Sequence, residues 1–401
     1  MLRVNTESAT TGMKLAISVY HPTHPDHILL RYGYELQPND LARLRQMRVH
    51  GLWVRYPSFD FLSKFVDERV LVAQQPVLQQ MAQTFETLQN QSTARLPYEN
   101  YCESIGRLIQ SLAYNPSAAI FMGDLTDCDD ELLRHSTAVM YLSVLMGLKL
   151  SDHLIKQRRH IDPARAREVN NLGIGAMLHD VGVARLEDSV RDRYGATGDD
   201  TDPSWREHPS LGYEMVHGKI DPSAATVVLH HHQRRDGSGY AGSGWPALSG
   251  RRIHVFAQIT ALADQFDRMC HPVNRPRQPT VCVLRGLLAE PVCDNFEPQI
   301  LKALCLVAPP YPPGSVVRLT NDQWAVVVNH NGADPCHPVV QTVPGPPQAF
   351  GAGDVAPGPE LDLSRNDGAL HIAENDGWDV SELNFAAPPL LQGSGGAMAY
   401  L

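Results

Sequence analysis

The sequence predicts a mainly α protein, with a helical core between a small β-rich N-terminal domain and a small β C-terminal extension. Three observations carry this prediction. Apolar residues recur at three-to-four spacing through most of residues 59–306. Short alternating or β-branched runs, bounded by turn residues, mark the first 57 residues and those beyond Pro309. The chain has 401 residues, 43% hydrophobic and 19% charged, which suits a globular protein of two or three domains. The expected divisions are a β-rich domain at 1–58, a helical connector at 59–115, a helical core at 116–308 and the β extension at 309–401.

In the N-terminal part, Met13–Tyr20 alternates imperfectly and reads as a strand, as do Ile28–Leu30 and Leu52–Val54. Asp40–Met47 reads as a short helix capped by Asn39 or Asp40. His21, His24 and His27 are evenly spaced, but they sit in a proline-broken turn and read as loop residues. From Phe59 to Leu112, Leu62, Phe65, Leu78, Met81, Phe85 and Leu88 set a helical pattern that reads as a connector or a dimerising stalk, with core packing the default because no clean heptad is sustained. The acidic run Asp124–Asp130 suits a helix N-terminus. Helices are expected over Ala164–Val181, up to His232, over Ile253–Met269, and near Leu284–Leu288 and Ile300–Leu306. Arg191–Ser204 is polar and reads as a loop. Beyond the Pro309–Gly314 turn cluster, Ser315–Leu319 and Trp324–Val328 read as strands, and Gly393–Leu401 as a disordered tail.

Bulk properties narrow the function classes. A net charge of −10 argues against a nucleic-acid polymer as partner. The seven cysteines are odd in number and form no Cys-x-x-Cys pair, which argues against a disulfide framework or a thiolate zinc site. No apolar run reaches the ~20 residues needed to span a bilayer, and the N-terminus lacks a signal-peptide core. A cytoplasmic protein without a membrane partner is expected.

The candidate chemistry lies in the helical region. Glu131 and His135 stand four apart on one helix face. His179-Asp180 ends an apolar helix, where an ionised carboxylate needs a partner. His208-Pro209 opens a helix. His231 and His232 follow the apolar Val227-Val228-Leu229, and Asp264 lies beside an apolar face. A lone His run is more often solvated than functional; the companions elsewhere in the chain change that balance. Five imidazoles and three carboxylates without sulfur suit iron, manganese or another divalent first-row ion. Eight ligands exceed the needs of one ion. A shared Asp can hold two ions ~3.5–4 Å apart, and a hydroxide between them would be a nucleophile at neutral pH.

These residues stand in motifs that resemble a known family. His179-Asp180 is similar to the signature of the HD phosphohydrolase superfamily. His231-His232-Gln233 followed by Asp236-Gly237-Ser238-Gly239-Tyr240 resembles the HHE…DGSGYP block of its HD-GYP subgroup. The resemblance covers about Asp130 to Arg277. It implies an all-helical metal-dependent phosphohydrolase core with two or three divalent ions, and hydrolysis of cyclic di-GMP to pGpG or GMP. Carried over by motif, the metal ligands are Glu131, His135, His179, Asp180, His208, His231, His232 and Asp264. Asp180 is the bridging carboxylate, and with His179 forms the catalytic pair. Tyr240 resembles a guanine-stacking aromatic, and Arg275 a phosphate-contacting Arg. Ser238 and Gly239 complete the expected substrate-contacting set. Cyclic di-GMP is the expected partner, with GGDEF-domain or other signalling proteins and a second copy of this chain as further candidates.

Three residues depart from the pattern. Gln233 replaces a Glu, Val183 stands where HDxGK has its Lys, and Ala241 stands where the Pro of GYP belongs. Ser243-Gly244-Trp245-Pro246 repeats the turn pattern, so either the loop is lengthened or Trp245-Pro246 replaces Tyr240. Arg185 is a candidate replacement for the missing Lys. These departures motivate an alternative function: a degenerate member that binds cyclic di-GMP or a protein without turnover. His230, His217, His254 and Trp205 read as packing or surface residues, and Ser238 as a turn former rather than a nucleophile. Asp267 reads equally as support for a ligand His or as a solvated charge.

Overall fold

A computed structural model describes residues 1–21, 27–47, 49, 51–90, 95–118, 120, 130–346, 349–350, 353, 355–365 and 369–386. His24, most of the Asp124–Asp130 run and the Gly393–Leu401 tail lie outside the described residues.

The N-terminal part contains β1 (Leu2–Asn5), β2 (Val19–Tyr20), β3 (Ile28–Leu30), α1 (Pro38–Gln46) and β4 (Gly51–Val54). Most of Met13–Tyr20 is not a strand: Val19–Tyr20 pairs with Ile28–Leu30, while Lys14 and Leu15 make isolated bridges to Glu35 and Val54. The partner of β4 is instead β1, with Leu2 opposite Val54. The alternation of Leu2, Arg3, Val4 and Asn5 is too short to stand out in sequence, yet its apolar members are fully buried.

The helical part comprises α2 (Glu68–Asn90), α3 (Tyr98–Tyr114), α4 (Glu131–Lys149), α5 (Ser151–Gln157), α6 (Pro163–Ala166) and α7 (Asn170–Met177). It continues with α8 (Asp188–Thr197), α9 (His208–Val216), α10 (Pro222–His230), α11 (Val255–Cys270), α12 (Thr280–Leu288) and α13 (Pro298–Val307). One apolar core runs through it, from Val77, Met81, Tyr101 and Ile105 to Leu142, Ile174, Val227, Leu262 and Leu304. The expected helix at 164–181 is broken into α6, α7 and a 3-10 turn at Val181–Arg185. The polar segment Arg191–Ser204 is not all loop. Its first half is α8, which ends at Gly198 in the left-handed conformation (φ 66°) and buries only Val190, too little for a periodic signal.

Strands β5 (Val316–Leu319), β6 (Trp324–Asn329), β7 (Val339–Val343), β8 (Glu360–Asp362), β9 (Ile372–Asn375) and β10 (Trp378–Asp379) form one antiparallel sheet in the order β10-β9-β5-β6-β7-β8. Along β6 the side chains alternate between two cores. Ala325 and Val327 pack with Val281 of α12 and Tyr311. Val326 and Val328 pack with the N-terminal Leu2, Leu15, Leu52 and Tyr56. The two β regions at opposite ends of the chain therefore meet across one sheet.

Candidate metal centre

Helix α7 places the first candidate ligands. It is buried along Leu172–Met177, and its small residues allow close approach. A Cβ on Gly173 would lie 2.9 Å from Ile105, and one on Gly175 2.7 Å from Val227. The helix ends at His179-Asp180 in the middle of the core, between α4, α10 and α11. The following Gly182 lies so close to α9 that a Cβ would stand 2.0 Å from the His208 carbonyl oxygen. This contact sets His208, the first residue of α9, beside Asp180. Asp221 caps α10 by accepting from the Ser223 amide at 2.8 Å, and that helix delivers His231 and His232 at its C-terminal end.

Asp180 is shared by two donor groups. One is Asp180 with His208, His231 and His232; the other is Asp180 with His135 and His179. Asp180 Oδ1 lies 3.3 Å from His208 Nε2 and 3.4 Å from His231 Nε2. Asp264 Oδ1 lies 3.1 Å from His135 Nε2 and 3.8 Å from His179 Nε2. All seven residues are buried.

The hydrogen bonds around the rings fix which nitrogen faces inward. Nδ1 of His179, His208 and His231 each donates to a backbone carbonyl three residues earlier, at 2.8, 2.8 and 2.9 Å. His135 Nδ1 meets Asp267 Oδ2 at 2.6 Å. Asp267 is in turn held by two hydrogen bonds from Arg134, at 3.1 and 3.2 Å. The Nε2 atoms then converge: His135 to His179 at 3.2 Å, His208 to His231 at 3.4 Å and His208 to His232 at 3.1 Å. Where both facing nitrogens are unprotonated, no hydrogen bond joins them, and a cation is the natural partner. Donors held at about 2.1 Å from one ion stand about 3.0–3.4 Å apart, the spacing seen here. Asp180 Oδ1 and Asp264 Oδ2 are buried and take no hydrogen bond among the described residues. The donor set fits divalent metal.

Electrostatics supports the ligand form of His231, His232 and Asp180. Burial pushes His231 down to about 4, with His179 and His208 adding to it against the pull of Asp180. Burial likewise pushes His232 well below its usual value. Burial alone would raise Asp180; the charges of His179 and Arg268 outweigh it and hold the carboxylate well below the usual range. His135 moves the other way, up to about 9: burial and Arg268 lower it, but Asp264 and Asp267 prevail.

Other expected residues fall differently. Glu131 is exposed in the first turn of α4, and no hydrogen bond or ion pair among the described residues joins it to the cluster. Arg275 is exposed in the turn after α11, and Ser238 is exposed and bonds Asp236 within its own turn. A Cβ on Gly239 would stand 2.4 Å from the His232 carbonyl oxygen. Tyr240 lies against His232, ring centroids 4.7 Å apart and 18° from parallel, and Arg206 sits over its ring at 4.7 Å.

Two of the three departures, Gln233 and Val183, acquire physical reasons. Gln233 is buried; its Oε1 accepts from the Leu248 amide at 2.9 Å, so it fastens the lengthened turn. The second turn is clamped by Glu207, which accepts from the Ser243 amide at 3.0 and 3.1 Å. Trp245 packs edge-on against Tyr213 and His230, whereas Tyr240 is the aromatic that stacks on His232. Val183 joins a small apolar cluster with Leu186, Val190 and Trp205. Arg185 does not take the Lys position; it pairs with Glu214 at 3.1 Å.

Sequence reasoning missed Arg268. Its Nη2 donates to Asp180 Oδ2 at 2.8 Å and its Nε to Asp264 Oδ1 at 2.6 Å. An Arg four residues after an Asp reads as an ordinary helix-surface pair, and nothing in the spacing signals a buried one.

The clustered residues lie within a stretch that is similar to known proteins. Residues 132–269 match the HD domain family. A cyclic di-GMP phosphodiesterase of Pseudomonas aeruginosa is 25% identical over 294 residues, 70% of this chain and 64% of that protein. The cyclic di-GMP phosphodiesterase response regulator RpfG of Xanthomonas campestris pv. campestris is 36% identical over 105 residues, 25% of this chain and 27% of that one. The chain thus spans about two thirds or less of the curated relatives it matches. Among solved structures, an HDG"Y"P protein from Bdellovibrio bacteriovorus aligns at 15% identity with a TM-score of 0.43, over 76% of this chain and 97% of that one.

Proposed function

We propose that this chain, whose residues 132–269 match the HD domain family, is a divalent-metal-dependent cyclic di-GMP phosphodiesterase of the HD-GYP type. The observation that carries the reading is the shared carboxylate of Asp180 between two groups of inward-facing imidazoles. The relatives named for this activity support the substrate class.

His135, His179, Asp180, His208, His231, His232 and Asp264 would hold the ions, with iron or manganese best suited to the nitrogen and oxygen donors. Bound divalent ions supply an activated water and neutralise charge on a phosphate. The chain's own residues prepare the site for this. The backbone carbonyls behind His179, His208 and His231 hold each ring with Nε2 inward. Asp267 does the same for His135. Tyr240 offers an aromatic surface beside His232 for a base. Arg206, over that ring, supplies positive charge near the site of an anionic ligand in a protein of net charge −10.

The test is turnover. Protein purified anaerobically and loaded with Mn²⁺ or Fe²⁺ is incubated with cyclic di-GMP, and products are separated chromatographically. Appearance of pGpG or GMP is expected. Tight binding of the dinucleotide without any product would replace this reading with a receptor that does not turn over.

A further inference from the structure

The two donor groups that share Asp180 are not equivalent. On the Oδ1 side stand His208 and His231, at 3.3 and 3.4 Å, with His232 beside them. Among the described residues that oxygen takes no hydrogen bond. On the Oδ2 side stand His179 at 3.5 Å and His135 at 3.7 Å, with Asp264 Oδ1 next to both rings.

The Oδ2 side already holds a cation that belongs to the chain. The Arg268 guanidinium donates to Asp180 Oδ2 at 2.8 Å and to Asp264 Oδ1 at 2.6 Å. A third bond runs from Nη1 to the Tyr194 hydroxyl. Tyr194 is fixed by stacking on Trp205, ring centroids 3.6 Å apart and 2° from parallel. Charge-assisted bonds of this kind are about twice as strong as neutral ones. They also spare two buried carboxylates the cost of being unpaired. An ion on this side needs the same two oxygens. The Arg268 side chain is 24% exposed, so it has a path away from them.

We propose that Arg268 is an internal cation that competes with metal for Asp180 and Asp264 and makes the two metal positions unequal. The position made by Asp180 Oδ1, His208, His231 and His232 fills first. The position made by Asp180 Oδ2, Asp264, His135 and His179 fills only as Arg268 leaves. This rests on the reading of the cluster as a metal centre.

The experiment is a titration of chelator-stripped full-length protein with Mn²⁺, followed by calorimetry and by metal content after desalting. Wild type is expected to bind in two steps, the second weaker. Arg268→Met removes the charge and is expected to tighten the second step by about tenfold or more. Arg268→Lys, which keeps a cation, is expected to stay closer to wild type. Metal-free Arg268→Met is also expected to melt at a lower temperature than metal-free wild type and to recover more on adding Mn²⁺. Arg268→Gln serves as the neutral variant if Arg268→Met does not fold. Identical two-step binding in wild type and the neutral variant overturns the proposal, as does a weaker second step in that variant. If neither protein binds Mn²⁺, the metal-centre reading falls as well.

Discussion

Asp267 shows how much a single side chain behind the ligands can do. It is 1% exposed, accepts from Arg134 and meets His135 Nδ1 at 2.6 Å. Its carboxylate is held well below the usual range: burial opposes this, and the bonds from His135 and His271 outweigh it. Removing it frees the His135 ring. Asp267→Ala is expected to weaken metal retention by about 10–100-fold, read by dialysis against a chelator; unchanged retention would show that the bond does not orient the ligand. From sequence, Asp267 was balanced between this role and a solvated helix charge, because its position one turn after Asp264 fits both. The histidines and aspartates that gather in the buried cluster were legible through their motif resemblance. Glu131 shared that legibility, yet it stands exposed. Arg268 was not legible, since only the folded chain shows that two distant carboxylates converge on it.

At the scale of elements, the site depends on how helix ends meet. Gly182 lets the Val181–Arg185 turn lie against α9, and a Cβ there would overlap backbone atoms of His208 and Gly212. Gly182→Ala is expected to cost about 1–3 kcal/mol or more and to lower metal content, measured by thermal denaturation and metal analysis; a wild-type melting temperature would contradict the packing argument. Helix α11, which carries Asp264 and Asp267, begins at His254, whose Nδ1 accepts from the Phe256 amide at 3.2 Å. Burial, aided by Arg158, lowers this imidazole to about 4. The folded value lies below the unfolded one of about 6.5. The cap therefore contributes fully above about 6.5, and the contribution fades as pH falls toward 4. His254→Asn keeps a cap that does not titrate in this range. It is expected to lose less melting temperature than wild type between about pH 7 and pH 5; parallel losses would contradict this. The sequence read α11 correctly because it is long and amphipathic. It missed α8 because that helix is short and mostly exposed.

Over the whole molecule, the fold class was legible and the joining of its parts was not. Helical periodicity and the composition shift after Pro309 follow from local burial. That the N-terminal residues and the C-terminal sheet share a core follows from contacts more than 250 residues apart, such as the Arg3 amide donating to the Gly314 carbonyl at 3.4 Å. Helices α2 and α3 likewise place Met81, Tyr101, Ile105 and Leu108 in the same core as α4, α7 and α11. A fragment of residues 116–308 is expected to lack a cooperative thermal transition, whereas 59–308 regains it, both read by circular dichroism. Equal melting temperatures for the two fragments would show that α2 and α3 are dispensable. Among the described residues no single helix is long and apolar enough to cross a membrane, and the apolar α4 is instead buried at the centre of this core.

The central claim is that a centre organised around Asp180 hydrolyses a cyclic dinucleotide. Its most direct test measures metal content and cyclic di-GMP turnover on the same preparations of wild type and Asp180→Ala. Tightly bound divalent metal and formation of pGpG or GMP in wild type, with both lost in the variant, is the predicted result. Wild type without metal, or a variant that keeps its metal and its turnover, would contradict the account.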